Sequence, residues 1–218
     1  YYYSTHDYLT GLLNRREFDR ILHRVCSSSG NQPGTHALLY IDLANFKLIN
    51  DTAGHAAGDE ALKLISDVLQ RGQFRGRDVV ARLGGDEFAL ILEFCMPEES
   101  LRVATEIIEE LRNAVFKFES HHFVLECYIG IVPIRGQEST AEEVLRSADA
   151  ACYEAKEKGP GSVQAVDLDQ AQISTRRTDM EWAKVIRSAL TERSIGLTCE
   201  PIVRGAKDKV VGFEFLLR

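Results

Sequence analysis

The segment Arg82-Leu83-Gly84-Gly85-Asp86-Glu87-Phe88 constrains this chain more than any other. Two apolar runs, Val79–Leu83 and Phe88–Leu92, flank four residues unsuited to a strand interior. The pattern therefore predicts a β-hairpin with Gly84, Gly85, Asp86 and Glu87 at its tip. Glycine permits positive φ and lets a bulky anion approach the backbone, while the two acids bring negative charge to the same point. Such a tip suits a divalent cation and a polyphosphate. Taken alone, it fits a polar turn carrying two solvated acids better.

A further carboxylate upstream separates these readings. His36–Asp42 is an apolar run that ends in an acid, as expected of a buried strand that delivers Asp42 to its end. Asn14 with Glu17 three residues on has the form of a capping box, and opens a helix to about Cys26 with Phe18, Ile21, Leu22 and Val25 on one face. Gly58-Asp59 opens a second helix to about Gln70, with Leu62, Ile65 and Leu69 inward. A third begins near Pro97 and buries Leu101, Ala104, Ile108, Leu111 and Val115. Phe123–Ile134 reads as one strand. Thr140 with Glu143 forms a second capping box, opening a helix through Val144, Leu145, Ala148, Cys152 and Ala155. Gly159-Pro160-Gly161 stops it, and Ser162–Val166 is a last strand.

Composition narrows the partners. The chain has 218 residues, 44% of them hydrophobic, and a net charge of -7. That is long enough for one domain of about 150 residues and a remainder. Acidic charge disfavours nucleic acid and anionic membrane surfaces, both of which reward clustered cations. Five cysteines without a Cys-x-x-Cys pair argue for neither a zinc site nor a disulfide framework, so a reducing, cytoplasmic setting is expected. No run of about 18 apolar residues is present, so no direct membrane contact is expected of this segment. Tyr1-Tyr2-Tyr3 reads as the end of a helix from an upstream sensor, which itself could be membrane-anchored.

Asp42, Phe46-Lys47, Ile49-Asn50-Asp51, Gly54-His55, Gly58-Asp59 and Arg82–Phe88 resemble, in order and spacing, the GGDEF family of diguanylate cyclase domains. Asp7–Phe18 is similar to that family's opening segment, and Ala148-Asp149, Tyr153, Ala155-Lys156 and Gly159 to its closing one. The resemblance runs over roughly residues 7–166. It implies an α+β fold, with the βαββαβ core of nucleotidyl-cyclase and polymerase palm domains, a mainly antiparallel sheet and helices on one face. It also implies condensation of two GTP molecules into cyclic di-GMP and two pyrophosphates. Asp42, Asp86 and Glu87 are then the catalytic acids, and Mg²⁺ or Mn²⁺ is held by Asp42, the Leu43 carbonyl, Asp86 and Glu87. Asn50 and Asp59 would read guanine, since a carboxylate accepts from its N1-H and N2-H₂ together. Lys47 and Lys156 would meet phosphates, with Gly84, Gly85 and Phe46 lining the substrate. Arg75 and Asp78 match the inhibitory product site that takes cyclic di-GMP. The resemblance further implies that each domain would hold one GTP, so that activity would need a homodimer.

Three positions depart from the family pattern: Ala44 stands where a second aspartate is common, Pro160 where an arginine is usual, and Tyr128 where a serine is usual. Beyond Val166, residues 167–180 read as a linker. Residues 181–218 hold a helix, Glu181–Glu192, and strands Ile195–Val203 and Lys209–Leu217. Glu200-Pro201-Ile202-Val203 and Val211–Arg218 resemble the opening of the EAL family of cyclic di-GMP phosphodiesterases, with Glu214 as its metal-binding glutamate. Phe215 and Glu200 depart from that pattern, and this incomplete piece cannot finish a phosphodiesterase site. The alternative to a working cyclase is therefore a GTP-binding regulatory module for an attached phosphodiesterase. A palm-type enzyme acting on nucleic acid is a third reading, disfavoured by charge.

Overall fold

Strand β2, His36–Leu43, is buried along almost its whole length and sits near the middle of the molecule's main sheet. The structure is a computed structural model and describes residues 2–28, 36–71, 77–134, 140–166, 196–204 and 209–217. In chain order the elements before β2 are α1 (Tyr2–Thr5), β1 (Leu13–Asn14) and α2 (Arg15–Ser28). After it come α3 (Phe46–Ala53), α4 (His55–Arg71), β3 (Val79–Gly84), β4 (Glu87–Leu92) and α5 (Pro97–Asn113). Then follow β5 (Val115–Phe118), β6 (His121–Val124), β7 (Cys127–Ile134), α6 (Ala141–Lys158), β8 (Val163–Ala165), β9 (Leu197–Arg204) and β10 (Lys209–Leu217).

Local chemistry explains most of these boundaries. The Asn14 side chain accepts the Glu17 amide, which caps α2, while the Glu17 carboxylate is engaged by Arg20. Thr140 and Glu143 exchange both bonds of a full capping box at the start of α6. Pro97 occupies the first turn of α5, where its missing N–H is no loss.

The main sheet runs β1-β3-β4-β2-β7-β8. Its four central strands pair antiparallel, and only the short edge strands β1 and β8 join in parallel. The α+β architecture with a mainly antiparallel sheet is thus present. Helices cover both faces, however, where one had been expected. Leu39, Ile41 and Phe88 pack with residues of α4 and α5 on one side, and Leu38, Tyr40 and Ile91 pack with α2 and α6 on the other. Period-two alternation hides this, because β2 is apolar at both phases and so must be covered twice.

Other sequence expectations need adjustment. Residues 46–53 form a helix, α3, and α4 begins at His55 instead of Gly58. Phe123–Ile134 is two strands, because β6 pairs with β5 as a separate hairpin. Leu101 and Val115 are exposed, not buried. The Glu181–Glu192 helix and the 167–180 linker lie outside the described residues. The chain divides into two compact units, Tyr1–Thr175 and Arg176–Arg218. In the second, β9 and β10 pair antiparallel, with Glu200 opposite Glu214.

Candidate active site

Antiparallel pairing of β2 with β4 sets Asp42 opposite Glu87, so both side chains leave the same face of the sheet. The Leu43 amide donates to the Asp86 carbonyl at 3.3 Å, which ties the end of β2 to the hairpin tip. Acids forty-five positions apart, Asp42 and Glu87, therefore meet as neighbours. At the tip Gly84 has φ 152° and Gly85 φ 51°, backbone states that favour glycine. A Cβ on either would meet nothing within 4 Å, so the space beside the tip is open.

The tip is held from below by Arg82, whose side chain is only 11% exposed. Its Nε and Nη2 donate to the Gly85 carbonyl at 3.1 and 2.8 Å, and its Nη1 donates to Asp7 Oδ1 at 3.1 Å. Asp7 Oδ1 also accepts from the Thr10 amide at 2.9 Å and the Thr10 hydroxyl at 2.7 Å. Burial alone would raise the Asp7 carboxyl, but Thr10 and then Arg82 outweigh it and hold it below its ordinary value. Parallel pairing of Asn14 with Arg82 brings the N-terminal segment alongside. In the sequence Asp7 and Arg82 stand within motifs that give neither of them a role. The available signal was an arginine placed just before a glycine turn.

Asp42 Oδ2 accepts from Lys156 Nζ of α6 at 2.8 Å. Burial raises the Asp42 carboxyl above its usual range, with Asp86 and Glu87 adding to the rise and Lys156 opposing it. For Lys156 burial pulls downward, yet the Asp42 carboxylate prevails and the ammonium is raised. Both ends of one ion pair are raised because the acid is deeper and has like charges beside it. Tyr40, two residues before Asp42 and on the same face, has its phenol pushed up first by burial and then by Glu87. Asp149 on α6 is raised by burial, with Asp42 contributing. Tyr40 and Asp149 are further members of this cluster; the sequence places Asp149 in the closing motif without a role and gives Tyr40 none.

Asp42, with Asp86 and Glu87 whose charges raise it, is set against Lys156, and these acids offer the carboxylate oxygens a divalent cation takes. They do not form a closed cage: among the described residues, no group of three His, Cys, Asp or Glu side chains is arranged to hold a metal ion. Of the expected substrate residues, Phe46, Lys47 and Asn50 lie on α3 and Asp59 on α4, with Lys47 and Asp59 exposed. Phe46 and Asn50 face Gly58 closely. Asp78 precedes β3 and accepts the Glu93 amide at 3.2 Å, whereas Arg75 lies outside the described residues. Ala44 donates its amide to the Glu126 carbonyl at 2.9 Å.

An antiparallel palm-like sheet with acids gathered at the end of its central strand and hairpin defines an α+β protein of the nucleotidyl-cyclase type. The sequence profile of the diguanylate cyclase GGDEF domain matches residues 4–162, and the chain belongs to that family. It is 37% identical over 193 residues to the probable diguanylate cyclase DgcE of Escherichia coli K12, covering 87% of this chain and 17% of that protein. It is 30% identical over 215 residues to the bifunctional diguanylate cyclase/cyclic di-GMP phosphodiesterase MucR of Pseudomonas aeruginosa, covering 99% of this chain and 31% of the other. The coiled coil and GGDEF domain of DgcB from Caulobacter crescentus, solved in complex with cyclic di-GMP, superposes with a TM-score of 0.70 at 30% identity. That match covers 75% of this chain and 86% of the other. The chain thus spans less than a third of the length of both curated relatives.

Proposed function

We propose that residues 1–166 form a diguanylate cyclase domain that condenses two GTP molecules into cyclic di-GMP, releasing two pyrophosphates. The observation that carries this reading is the pairing of Asp42 with Glu87 beside an open glycine tip. Each 3′-hydroxyl attacks the α-phosphate of the other nucleotide, so two domains, each with one GTP, face one another in a homodimer. Asp42, the Leu43 carbonyl, Asp86 and Glu87 are the groups that would hold Mg²⁺ or Mn²⁺. When bound, such ions neutralise phosphate charge and align the attacking and leaving oxygens.

The chain's own groups do the rest. Glu87 takes the proton of the attacking hydroxyl, and the nearby Tyr40 phenol and Asp42 carboxylate define its surroundings. Lys156 compensates Asp42 and, with Lys47, supplies positive charge to the triphosphate. Asn50 and Asp59 read guanine, and Phe46, Gly84 and Gly85 line the site. Arg82 fixes the tip on which Asp86 and Glu87 stand. Pro160 withholds a guanidinium, which weakens the hold on phosphate by about 1–3 kcal/mol and makes a slower enzyme. Arg75 and Asp78 would bind cyclic di-GMP as an inhibitor. No described helix is long and apolar enough to cross a membrane, and the domain is proposed to work in the cytoplasm under an upstream sensor.

GTP and Mg²⁺ supplied to wild type and to Glu87→Gln test the reading. Cyclic di-GMP should form with wild type at a specific activity that rises with protein concentration, and fall at least about a hundredfold with the variant. Absence of product at high wild-type concentration would leave the second reading, a GTP-binding regulatory module. That alternative is favoured by residues 181–218, which read as the first piece of an EAL domain after a 167–180 linker. The alignment to bifunctional MucR, which spans nearly the whole chain, is its support.

A further inference from the structure

Gly58 is the fourth residue of the seventeen-residue helix α4 and is buried. Glycine inside a helix is less favourable than alanine by about 1 kcal/mol, so an interior glycine needs a reason. Backbone freedom is not that reason, since Gly58 lies within regular helix and is absent from the positive-φ residues. Close approach is. A Cβ at Gly58 would overlap Asn50 Oδ1, and would come within 3.0 Å of Asn50 Cγ and 3.1 Å of Phe46 Cζ. Phe46 and Asn50 are four residues apart on α3 and share its side. Their side chains therefore rest against the bare Cα of α4. Oδ1 and Cγ, not Nδ2, are the Asn50 atoms nearest that backbone, so the carboxamide turns its oxygen side to α4. The next residue along α4, Asp59, is exposed.

We propose that Gly58 is a specificity-positioning residue: by lacking a side chain it fixes the Asn50 amide with its oxygen inward and its NH₂ outward, presented to the acceptor edge of a guanine. This rests on the assignment of Asn50 and Asp59 as readers of the base. A donor aimed there meets guanine O6, whereas adenine carries an NH₂ at the same place and offers no acceptor. Adding a methyl group at position 58 turns the amide out of that orientation. Base discrimination is then lost without any change to the acids at the hairpin tip.

The test is a double-mutant cycle of Gly58→Ala and Asn50→Ala, with KM and kcat for GTP, the preference for GTP over ATP, and melting temperature measured for each. Gly58→Ala should raise KM for GTP about ten- to a hundredfold with kcat changed little, and should erode the preference over ATP. In the Asn50→Ala background the same substitution should add little to KM or to base preference, because the Asn50 amide it displaces is gone and only Phe46 Cζ at 3.1 Å is left to give way. Unchanged KM and preference in Gly58→Ala, with wild type active, overturn the inference and leave the cyclase reading intact. Additive effects also overturn it. Wild type that does not use GTP removes both together. If Gly58→Ala fails to fold, melting of the double variant decides: a temperature equal to that of Asn50→Ala supports the overlap with Asn50, and failure of the double variant to fold overturns it.

Discussion

At the scale of single residues, one guanidinium joins the start of the chain to the hairpin tip. Arg82 makes two bonds to the Gly85 carbonyl and one to Asp7, at 2.8–3.1 Å. Lysine carries a compact charge and cannot reproduce that fork. Arg82→Lys should therefore cost about 1–3 kcal/mol of transition-state stabilisation, roughly ten- to a hundredfold in kcat/KM, with an unchanged circular dichroism spectrum. Equal kcat/KM in the two proteins would show that the tip does not depend on the clamp. Asp7 adds a pH signature. Its folded value lies below the ordinary 3.8, so the stability it contributes is complete above about pH 4 and is lost as pH falls through the folded value. Asp7→Asn should thus melt below wild type at neutral pH, and the gap should narrow only below about pH 4. A gap that stays constant down to strong acid would contradict this. Neither role was legible beforehand, because nothing local in the sequence links positions 7 and 82.

At the scale of elements, α6 is pressed onto the sheet at one bare position. A Cβ on Gly130 of β7 would run into the Ala148 carbonyl and the Cys152 amide, and would lie 3.0 Å from Ala151 C. One turn beyond Cys152 stands Lys156, which holds Asp42. Gly130→Ala must lift the helix, with a predicted loss of about 1–3 kcal/mol in urea unfolding and a parallel fall in GTP turnover. A variant as stable as wild type would mean that the helix can slide at no cost. The α6 boundary itself was readable, because Thr140 and Glu143 declare a capping box in four residues. Helix α3 was not. Its eight residues carry a single buried apolar side chain, Ile49, too little for a periodic signal. Likewise nothing local separates β6 from β7, because the break at Leu125-Glu126 has neither glycine nor proline.

For the whole molecule, every buried apolar side chain among the described residues lies between Leu12 and Ala155. The second unit, Arg176–Arg218, exposes Phe213 and Phe215 in its described strands. A chain ended at Thr175 should therefore melt within about 3 °C of the full 218 residues. A large fall would show that residues 176–218 complete the first unit's core. Sequence by itself determined what depends on neighbours along the chain: the glycine–acid hairpin, the capped helices, the apolar strand ending in Asp42, and the α+β class their order implies. Which acids stand opposite one another, which faces of the sheet are covered, and that Arg82 grips Asp7 were decided only in three dimensions. Strand register and side-chain reach join residues far apart in sequence, and the balance of burial against charge at Asp42 exists only once they have met.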